Sequence, residues 1–470
     1  MKQIQPWYWR SLPLEQRTGS DVFQALFLDS EGIATLLESP YDPAFVPSPS
    51  TRYSICAGAP RLIEGSLQMW TPAIGQILPC LRHLLERAAA SESEEMKRLP
   101  FTGGWLGWLG YDLAWEIEQL PTLKSDPLPF PIAFWYEPAS FAVLDHQEQT
   151  LWLASTCEGD LEGLQQKVQQ RISAKSPTEK SSPSGSPLPD FGTSQADYEA
   201  AVRQAKKYIQ AGDIFQANLS LRFTAQTSAD SWAIYRALHQ INPSPFASYW
   251  QTPWGVVISC SPERLVQLQG SQAQTRPIAG TRSRGATPEH DQQMQQDLLA
   301  NIKERAEHIM LVDLERNDLG RVCQWGSVTV NELLTIERYS HVMHLVSNVI
   351  GTLHPDYDTI DLIRALFPGG TITGCPKVRC MEIIEELEPL RRNLFYGSCG
   401  YLDKRGNLDL NILIRTLLFS HHPSGLHTVY GQVGAGIVAD SDPEKEWFES
   451  LNKAQAQLAA LSLTHQQLHL

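Results

Sequence analysis

The sequence is poor in several features, and each shortage removes a class of function. No stretch approaches the roughly 20 consecutive apolar residues that a membrane-spanning helix needs. Met1 to Gln16 carries charges and prolines but no apolar core of the kind a secretory leader has. The eight cysteines, at 56, 80, 157, 260, 323, 375, 380 and 399, are scattered with no Cys-x-x-Cys pair, which fits reduced thiols better than a disulfide framework. Positive charge is scarce, with 38 Lys and Arg against 52 Asp and Glu and a net charge of −14. That balance argues against a general nucleic-acid or acidic-membrane surface. No repeat of fixed period is present, and no glycine-rich segment has P-loop or dinucleotide-fingerprint spacing. The expectation is a soluble cytoplasmic protein. Any anionic substrate must be held by a local cluster of Arg, Lys, backbone N–H groups or a metal ion.

What is present is a chain of 470 residues, with 42% hydrophobic residues, enough for more than one average domain or one large fold. It is organised around Phe367–Lys377, FPGGTITGCPK. Gly369, Gly370, Thr371, Thr373 and Gly374 lead to Pro376, and apolar residues at Val378, Met381, Ile384 and Leu387 then mark an amphipathic helix. A glycine-rich loop entering a helix offers N–H groups and a positive dipole end to a carboxylate or phosphate. A tight turn ahead of a capped helix fits that loop equally well.

Elsewhere, Phe23–Leu28 and Ile33–Leu37 read as two strands, and Phe141–Asp145 with Gln149–Ala154 as another pair. The glycine- and tryptophan-rich Phe101–Gly110 marks close backbone packing in a β-rich core. Lys175–Asp190, rich in Ser, Pro, Lys and Gly, reads as an exposed linker or long loop between an N-terminal part, 1–174, and a second part, 191–465. Beyond it, Ser194 caps a helix that ends at Gly212. Asp213–Phe223, Val256–Ser259, Val342–Ile350, Leu410–Phe419 and Thr428–Val438 read as strands, and Gln296–Asp313 as a helix. The last helix, from about Pro443 to Leu461, puts Trp447, Leu451, Ala454 and Leu458 on an apolar face and Glu446, Glu449 and Lys453 on another. On periodicity alone that second face is a solvated one with i,i+4 pairing. The mixture of strands and separate helices predicts an α+β protein.

GDIFQANL (212–219), SPER (261–264), RPIAGT (276–281), ERAEHIMLVDLERNDLGR (304–321), VMHLVS (342–347), FPGGTITGCPKVRCMEIIEELEP (367–389), GSCGYL (397–402), LIRT (413–416) and GAGIVADS (434–441) occur in this order, ahead of the Glu449–Lys453 helix. Together they resemble the chorismate-using enzymes, in particular component I of aminodeoxychorismate synthase and of anthranilate synthase. The resemblance is strong over about 190–460 and looser through Ala34–Pro40, Thr51–Pro60 and Pro100–Leu120. It implies two packed antiparallel β-sheets surrounded by helices, an active site between the sheets, and a Mg²⁺ ion bridging protein and the ring carboxylate of chorismate.

By motif, Glu307 and Glu449 match the family's metal ligands, with Glu446 close by. Such hard oxygen donors suit Mg²⁺. Arg415, Tyr401, Lys453, Gly280, Thr281 and the Gly434–Ala435–Gly436 backbone match positions that hold the substrate. Thr373, Gly370 and Thr371 flank the same site. Glu263 matches the general acid that protonates the leaving hydroxyl, which requires a raised pKa. His344 matches a histidine beside the ring, though in an apolar strand it reads by itself as a core histidine. Gln216 stands where water-using relatives have a lysine base, so ammonia is the expected nucleophile. Ala279 replaces the lysine that forms a covalent adduct in many aminodeoxychorismate synthases, which excludes that step.

Ala279 and RYSHVMHLVS (338–347) lean towards anthranilate synthase. FPGG, Thr371–Gly374, GDIFQANL, LPFTGGWLGWLGYDL (99–113) and FAVLDHQ (141–147) lean towards aminodeoxychorismate synthase, which is the preferred expectation. Leu36–Ser39 and Asn242–Phe246, with Leu37, Glu38, Ser39, Pro243, Ser244 and Phe246 as the candidate contacts, resemble the pocket that binds tryptophan in anthranilate synthases, and a buried turn against a strand explains them as well. None of the cysteines lies in a Gly-x-Cys-x-Gly nucleophile turn, so ammonia is expected from a separate glutamine amidotransferase subunit. A third reading, a tryptophan-binding regulator without catalysis, predicts broken acid or metal positions. Glu263, Glu307, His344, Arg415, Glu449 and Lys453 are all in place.

Overall fold

The computed structural model describes residues 7–28, 32–40, 51–87, 96–170, 189–285, 287–338 and 342–467. Most of the expected linker, 175–188, lies outside the described residues.

Strand alternation dictates the layering. In Ser140–Asp145, Phe141 and Val143 join one buried core, while Ala142 and Leu144 join another. In Tyr53–Ala57, Ile55 and Ala57 go to the first core and Cys56 to the second. Side chains alternate across a strand, so these strands belong to a sheet covered on both faces. The described residues form a twelve-stranded sheet in the order Tyr8–Pro13, Thr150–Ser155, Ser140–Asp145, Tyr53–Ala57, Ala34–Glu38, Phe246–Thr252, Gly255–Ser261, Thr416–Ser420, His427–Ile437, Gln216–Thr227 and Asp190–Phe191, with Gly374–Cys375 added beside Gln216–Thr227. A ten-stranded sheet runs Ile278–Ser283, Val342–Thr352, Gln272–Thr275, Arg264–Gln269, Leu408–Asn411, Ser398–Asp403, Gly104–Leu109, Ala133–Tyr136 and Met69–Trp70, and Thr329–Arg338 also pairs with Val342–Thr352. Both sheets take strands from before and after the 175–188 stretch.

One face of the larger sheet packs on the smaller one. Trp108 and Trp250 meet there edge to face, with centroids 6.0 Å apart and planes at 81°. The opposite face is covered by the helices Gly19–Leu26, Asp160–Gln170, Gln195–Ala211, Ser231–Ile241 and Pro443–Gln467. The expected α+β arrangement of two packed antiparallel sheets with helices outside is what the chain adopts.

Three local expectations are corrected. Phe23–Leu28 is not a strand, because Thr18 and Asp21 form a capping box that starts the Gly19–Leu26 helix. Gln296–Asp313 is split into the helices Pro288–Ala300 and Ile302–Gly320, since Asn301 ends the first and caps the second with its side chain. Leu410–Phe419 is two strands in different sheets, Leu408–Asn411 and Thr416–Ser420, and the chain crosses between them.

Trp108 fills the gap between the sheets, and its indole N–H donates to the Pro131 carbonyl at 3.0 Å. Trp108→Ala is expected to lose about 3–5 kcal/mol of unfolding free energy in a urea titration. A loss below about 1 kcal/mol would mean that the sheets do not pack through this ring.

Candidate active site

The candidate residues gather where two stretches of chain pass from one sheet to the other, side by side. The chain leaves the larger sheet at Ser261 and enters the smaller one at Arg264, with Glu263 between them. The return crossing leaves the smaller sheet at Asn411 and enters the larger at Thr416, with Arg415 just before the strand. The crossings are bonded to each other. Ile412 N–H donates to the Glu263 carbonyl at 3.0 Å, Ser261 Oγ to the Ile412 carbonyl at 2.6 Å, and Cys260 N–H to the Arg415 carbonyl at 3.2 Å. Arg415 bends the chain at φ 51°, a left-handed conformation uncommon outside glycine and frequent at functional sites.

Glu263 is buried, and burial pushes its carboxyl pKa up to about 8. The nearby Thr371 hydroxyl, the Ile278 backbone and Arg415 favour the charged form, while Glu315 opposes it. Thr371 Oγ1 has no partner of good hydrogen-bond geometry, so its pull on Glu263 is partial. Glu315, on the Ile302–Gly320 helix, is itself held towards the protonated form by burial and lies against Gly370. Arg415 lies close enough to influence both Glu263 and His344, and its Nη1 donates to Asn242 Oδ1 at 3.2 Å. His344 pairs with Thr281 across the strands, one position from the register shift after Ala279. Burial, with Arg415 adding to it, lowers the His344 pKa to about 4, so the imidazole is neutral at physiological pH.

A second set of groups lies on the Ile302–Gly320 helix. Gln216 Nε2 donates to Glu307 Oε1 at 3.0 Å. Gly436 makes room for that bond, since a Cβ there would stand 2.4 Å from Gln216 Nε2. One helical turn before Glu307 lies Glu304, which the motifs did not single out. Its Oε1 accepts from Arg282 at 2.8 Å, while its Oε2 is buried without a partner. Gly280, at φ 64°, passes so close that a Cβ would lie 2.8 Å from that oxygen. The i,i+3 spacing inside ERAEH was the available signal. On the C-terminal helix, Lys453 Nζ donates to the Gly434 carbonyl at 3.0 Å and pairs with Glu449 at 2.9 Å. Glu446, one turn earlier, is buried near Tyr198.

Among the described residues no three or more His, Cys, Asp or Glu side chains close into a metal cage. Mg²⁺ does not need one, because it retains waters and takes one or two carboxylates plus substrate oxygens. The orphaned Glu304 oxygen beside Glu307 is a donor of that kind, so the residues fit such an ion.

Several expected residues stand elsewhere. The Ala435 side chain points into the outer core, so only its backbone is available. Thr373 turns its hydroxyl back onto its own loop, donating to the Gly369 carbonyl at 2.8 Å. The side chain of Thr281 lies outside the described residues. The 367–374 loop does not run straight into its helix, because Gly374–Cys375 first pairs with Gln216–Ala217. Tyr401 lies on the wall of a different cavity, of about 100 Å³, with Leu37, Ser39, Phe246 and Arg264. That cavity is where the tryptophan-pocket motif falls, with two corrections. Glu38 lines it, but its carboxylate accepts from Ser20 N–H, Ser20 Oγ and Tyr235 OH, each at 2.6 Å, and so is committed to joining helices to the sheet. Pro245 and Ala247 line the cavity, while Pro243 and Ser244 are not among the lining residues. Ser244 Oγ accepts from Asn242 Nδ2 at 3.2 Å, beside the contact to Arg415.

Comparison with known proteins agrees with this architecture. A Synechocystis protein named anthranilate synthase component I-like protein is 62% identical over 98% of this chain and 93% of its own length. Aminodeoxychorismate synthase component 1 of Bacillus subtilis is 46% identical over 80% of this chain and 81% of its own. The crystal structure of anthranilate synthase component I from Streptococcus pneumoniae superposes with a TM-score of 0.73 at 31% identity, covering 89% of this chain and 95% of that one. The family described as chorismate binding enzyme matches residues 48–459, and the chain belongs to that family.

Proposed function

We propose that this chain is the chorismate-aminating component of an aminodeoxychorismate synthase, making 4-amino-4-deoxychorismate towards p-aminobenzoate and folate. The observation that carries the reading is Glu263, a buried carboxyl with its pKa pushed up to about 8, adjoining Arg415. A carboxylic acid that stays protonated at neutral pH can give its proton to a departing hydroxyl. Arg415 then binds a substrate carboxylate through its fork of N–H donors. The N–H groups of Gly434–Gly436 and Lys453 hold the other carboxylate. Neutral His344 orients the ring or accepts a proton from it. Gln216 is a neutral amide tied to Glu307, so it cannot activate water as a base, and that favours ammonia as the nucleophile. Glu307 and Glu449, with Glu304 and Glu446 nearby, would hold Mg²⁺, which when bound offsets the charge of the ring carboxylate. Ammonia comes from a separate glutaminase subunit. Tryptophan, in this reading, takes the Leu37–Phe246 cavity.

Component I of anthranilate synthase is the second reading, favoured by Ala279 and by the name of the 62% identical relative. The 46% identity to the Bacillus subtilis enzyme and the FPGG and Thr371–Gly374 segments favour the first.

Purified protein with chorismate, Mg²⁺ and an ammonium salt, assayed with and without aminodeoxychorismate lyase, separates the two. p-Aminobenzoate appearing only with the lyase is the expected result. Anthranilate and pyruvate without lyase would replace it with the second reading, and no turnover would remove both. The role of Glu263 has its own signature. Its acid form is needed, so kcat/KM, referred to free ammonia, is expected to fall as pH rises through about 8. Glu263→Gln is expected to lose about 10²–10⁴-fold in kcat and to abolish that limb. An unchanged alkaline limb in the variant would show that the limb belongs to another group.

A further inference from the structure

The 367–374 loop puts Thr371 near enough to influence Glu263 and packs Gly370 on the Glu315 helix, yet it contains no charged side chain to fix it. What fixes it is its own backbone. Three consecutive carbonyls of the loop are each taken by a donor behind it. Asn218 Nδ2 donates to the Thr371 carbonyl at 3.1 Å, Arg392 Nη1 to the Ile372 carbonyl at 2.8 Å, and Asn218 N–H to the Thr373 carbonyl at 2.9 Å. Arg392 Nη2 also donates to the Asn218 carbonyl at 2.7 Å, so the two donors are locked to each other. The Arg392 side chain is 1% exposed. Its guanidinium is flanked by the rings of Tyr111 and Tyr396 at 4.7 and 4.6 Å, and Glu388 holds it with two hydrogen bonds, at 3.0 and 2.6 Å. Glu388 in turn accepts from Ser220 N–H at 2.8 Å and Ser220 Oγ at 2.7 Å, on the same strand as Gln216. A buried charge pair with its remaining donors satisfied by carbonyls is costly to break and specifies geometry more than it adds stability.

We infer that Arg392 is a positioning residue, which sets the substrate loop by holding the Ile372 carbonyl and Asn218 and so fixes where Thr371 stands relative to Glu263. This rests on the proposed chorismate site. The planar fork bonds two carbonyls and a carboxylate at once, in directions that a lysine ammonium cannot reproduce. Without it the 372–373 peptide has a buried carbonyl with no donor, and only the 3.3 Å bond from Thr373 N–H to the Gly370 carbonyl still holds its plane.

The test compares Arg392→Lys with wild type in steady-state kinetics and in hydrogen exchange of the peptide spanning 368–376. The expected result is a kcat lower by about 10²-fold with KM for chorismate changed by less than about threefold, and loop exchange faster by about tenfold. Exchange in the strands Gly255–Ser261 and Thr416–Ser420 is expected to stay as in wild type. The alkaline limb of kcat/KM is expected to move to higher pH. Thr371 favours the charged form of Glu263, whereas the charged groups facing that carboxyl, Glu315 from its helix and Arg415 from the return crossing, remain in place. General loosening of the core would instead admit water and move the limb to lower pH. If Arg392→Lys does not fold, Arg392→Gln, which keeps at most one of the two carbonyl bonds, carries the test with the same readouts in the same directions. Unchanged loop exchange, a limb moved downward, or kcat and strand protection lost together would overturn the inference. If wild type forms neither product, the proposed function has failed, and the exchange comparison alone decides whether Arg392 holds the loop.

Discussion

The constraint on which this site depends is the pairing of the two crossings between the sheets. A chain that leaves one sheet for another must expose backbone groups that its own ladder no longer satisfies, and a buried one cannot be left unpaired. Here each crossing satisfies the other, through Ser261, Ile412, Glu263 and Arg415. The arrangement puts a buried carboxyl and a half-buried guanidinium on neighbouring crossings between two sheets. The left-handed bend at Arg415 is tolerated because Cys260 and Asn242 hold that residue on both its backbone and its side chain.

Burial then decides the chemistry. The same desolvation that raises Glu263 lowers His344, so an acid that keeps its proton lies near an imidazole that lacks a second one. In water at neutral pH the carboxyl would be ionised, and the imidazole would still be partly protonated. The carboxylates Glu307 and Glu449 come from the Ile302–Gly320 and Pro443–Gln467 helices. Gln216 ties Glu307 to the strand, and Lys453 ties Glu449 to Gly434. Glu263, Arg415 and these carboxylates therefore come from separate elements of the two sheets and their helices.

Much of this was legible in the sequence, for identifiable reasons. Long strands and the Pro443 helix showed in their periodicity, and the ordered motifs named Glu263, Glu307, His344 and Arg415. The misreadings share a cause: patterns of apolar residues do not report which sheet a segment joins. Leu410–Phe419 reads as one strand because apolar residues occupy both sides of the crossing and Ile412–Ile414 within it, and the bend falls on an arginine where no glycine marks it. Tyr401 and Ala435 carried their motifs correctly but point into a different cavity and a different core, which depends on strand register. Glu304 escaped because a carboxylate one turn from another looks like a solvated helix face until Gly280 is brought against it. Arg392 escaped because its i,i+4 pair with Glu388 looks like a surface ion pair, and its loop partners are backbone carbonyls, which no side-chain pattern reveals.

The most direct measurement is a crystal structure of the Glu263→Gln protein with chorismate and Mg²⁺. The account predicts the ring between the substituted crossing and the Glu307 helix, one carboxylate on Arg415 and the other beside Gly434–Gly436. Chorismate found in the Leu37–Tyr401 cavity, or bound with Arg415 still on Asn242 and away from the ligand, would contradict it.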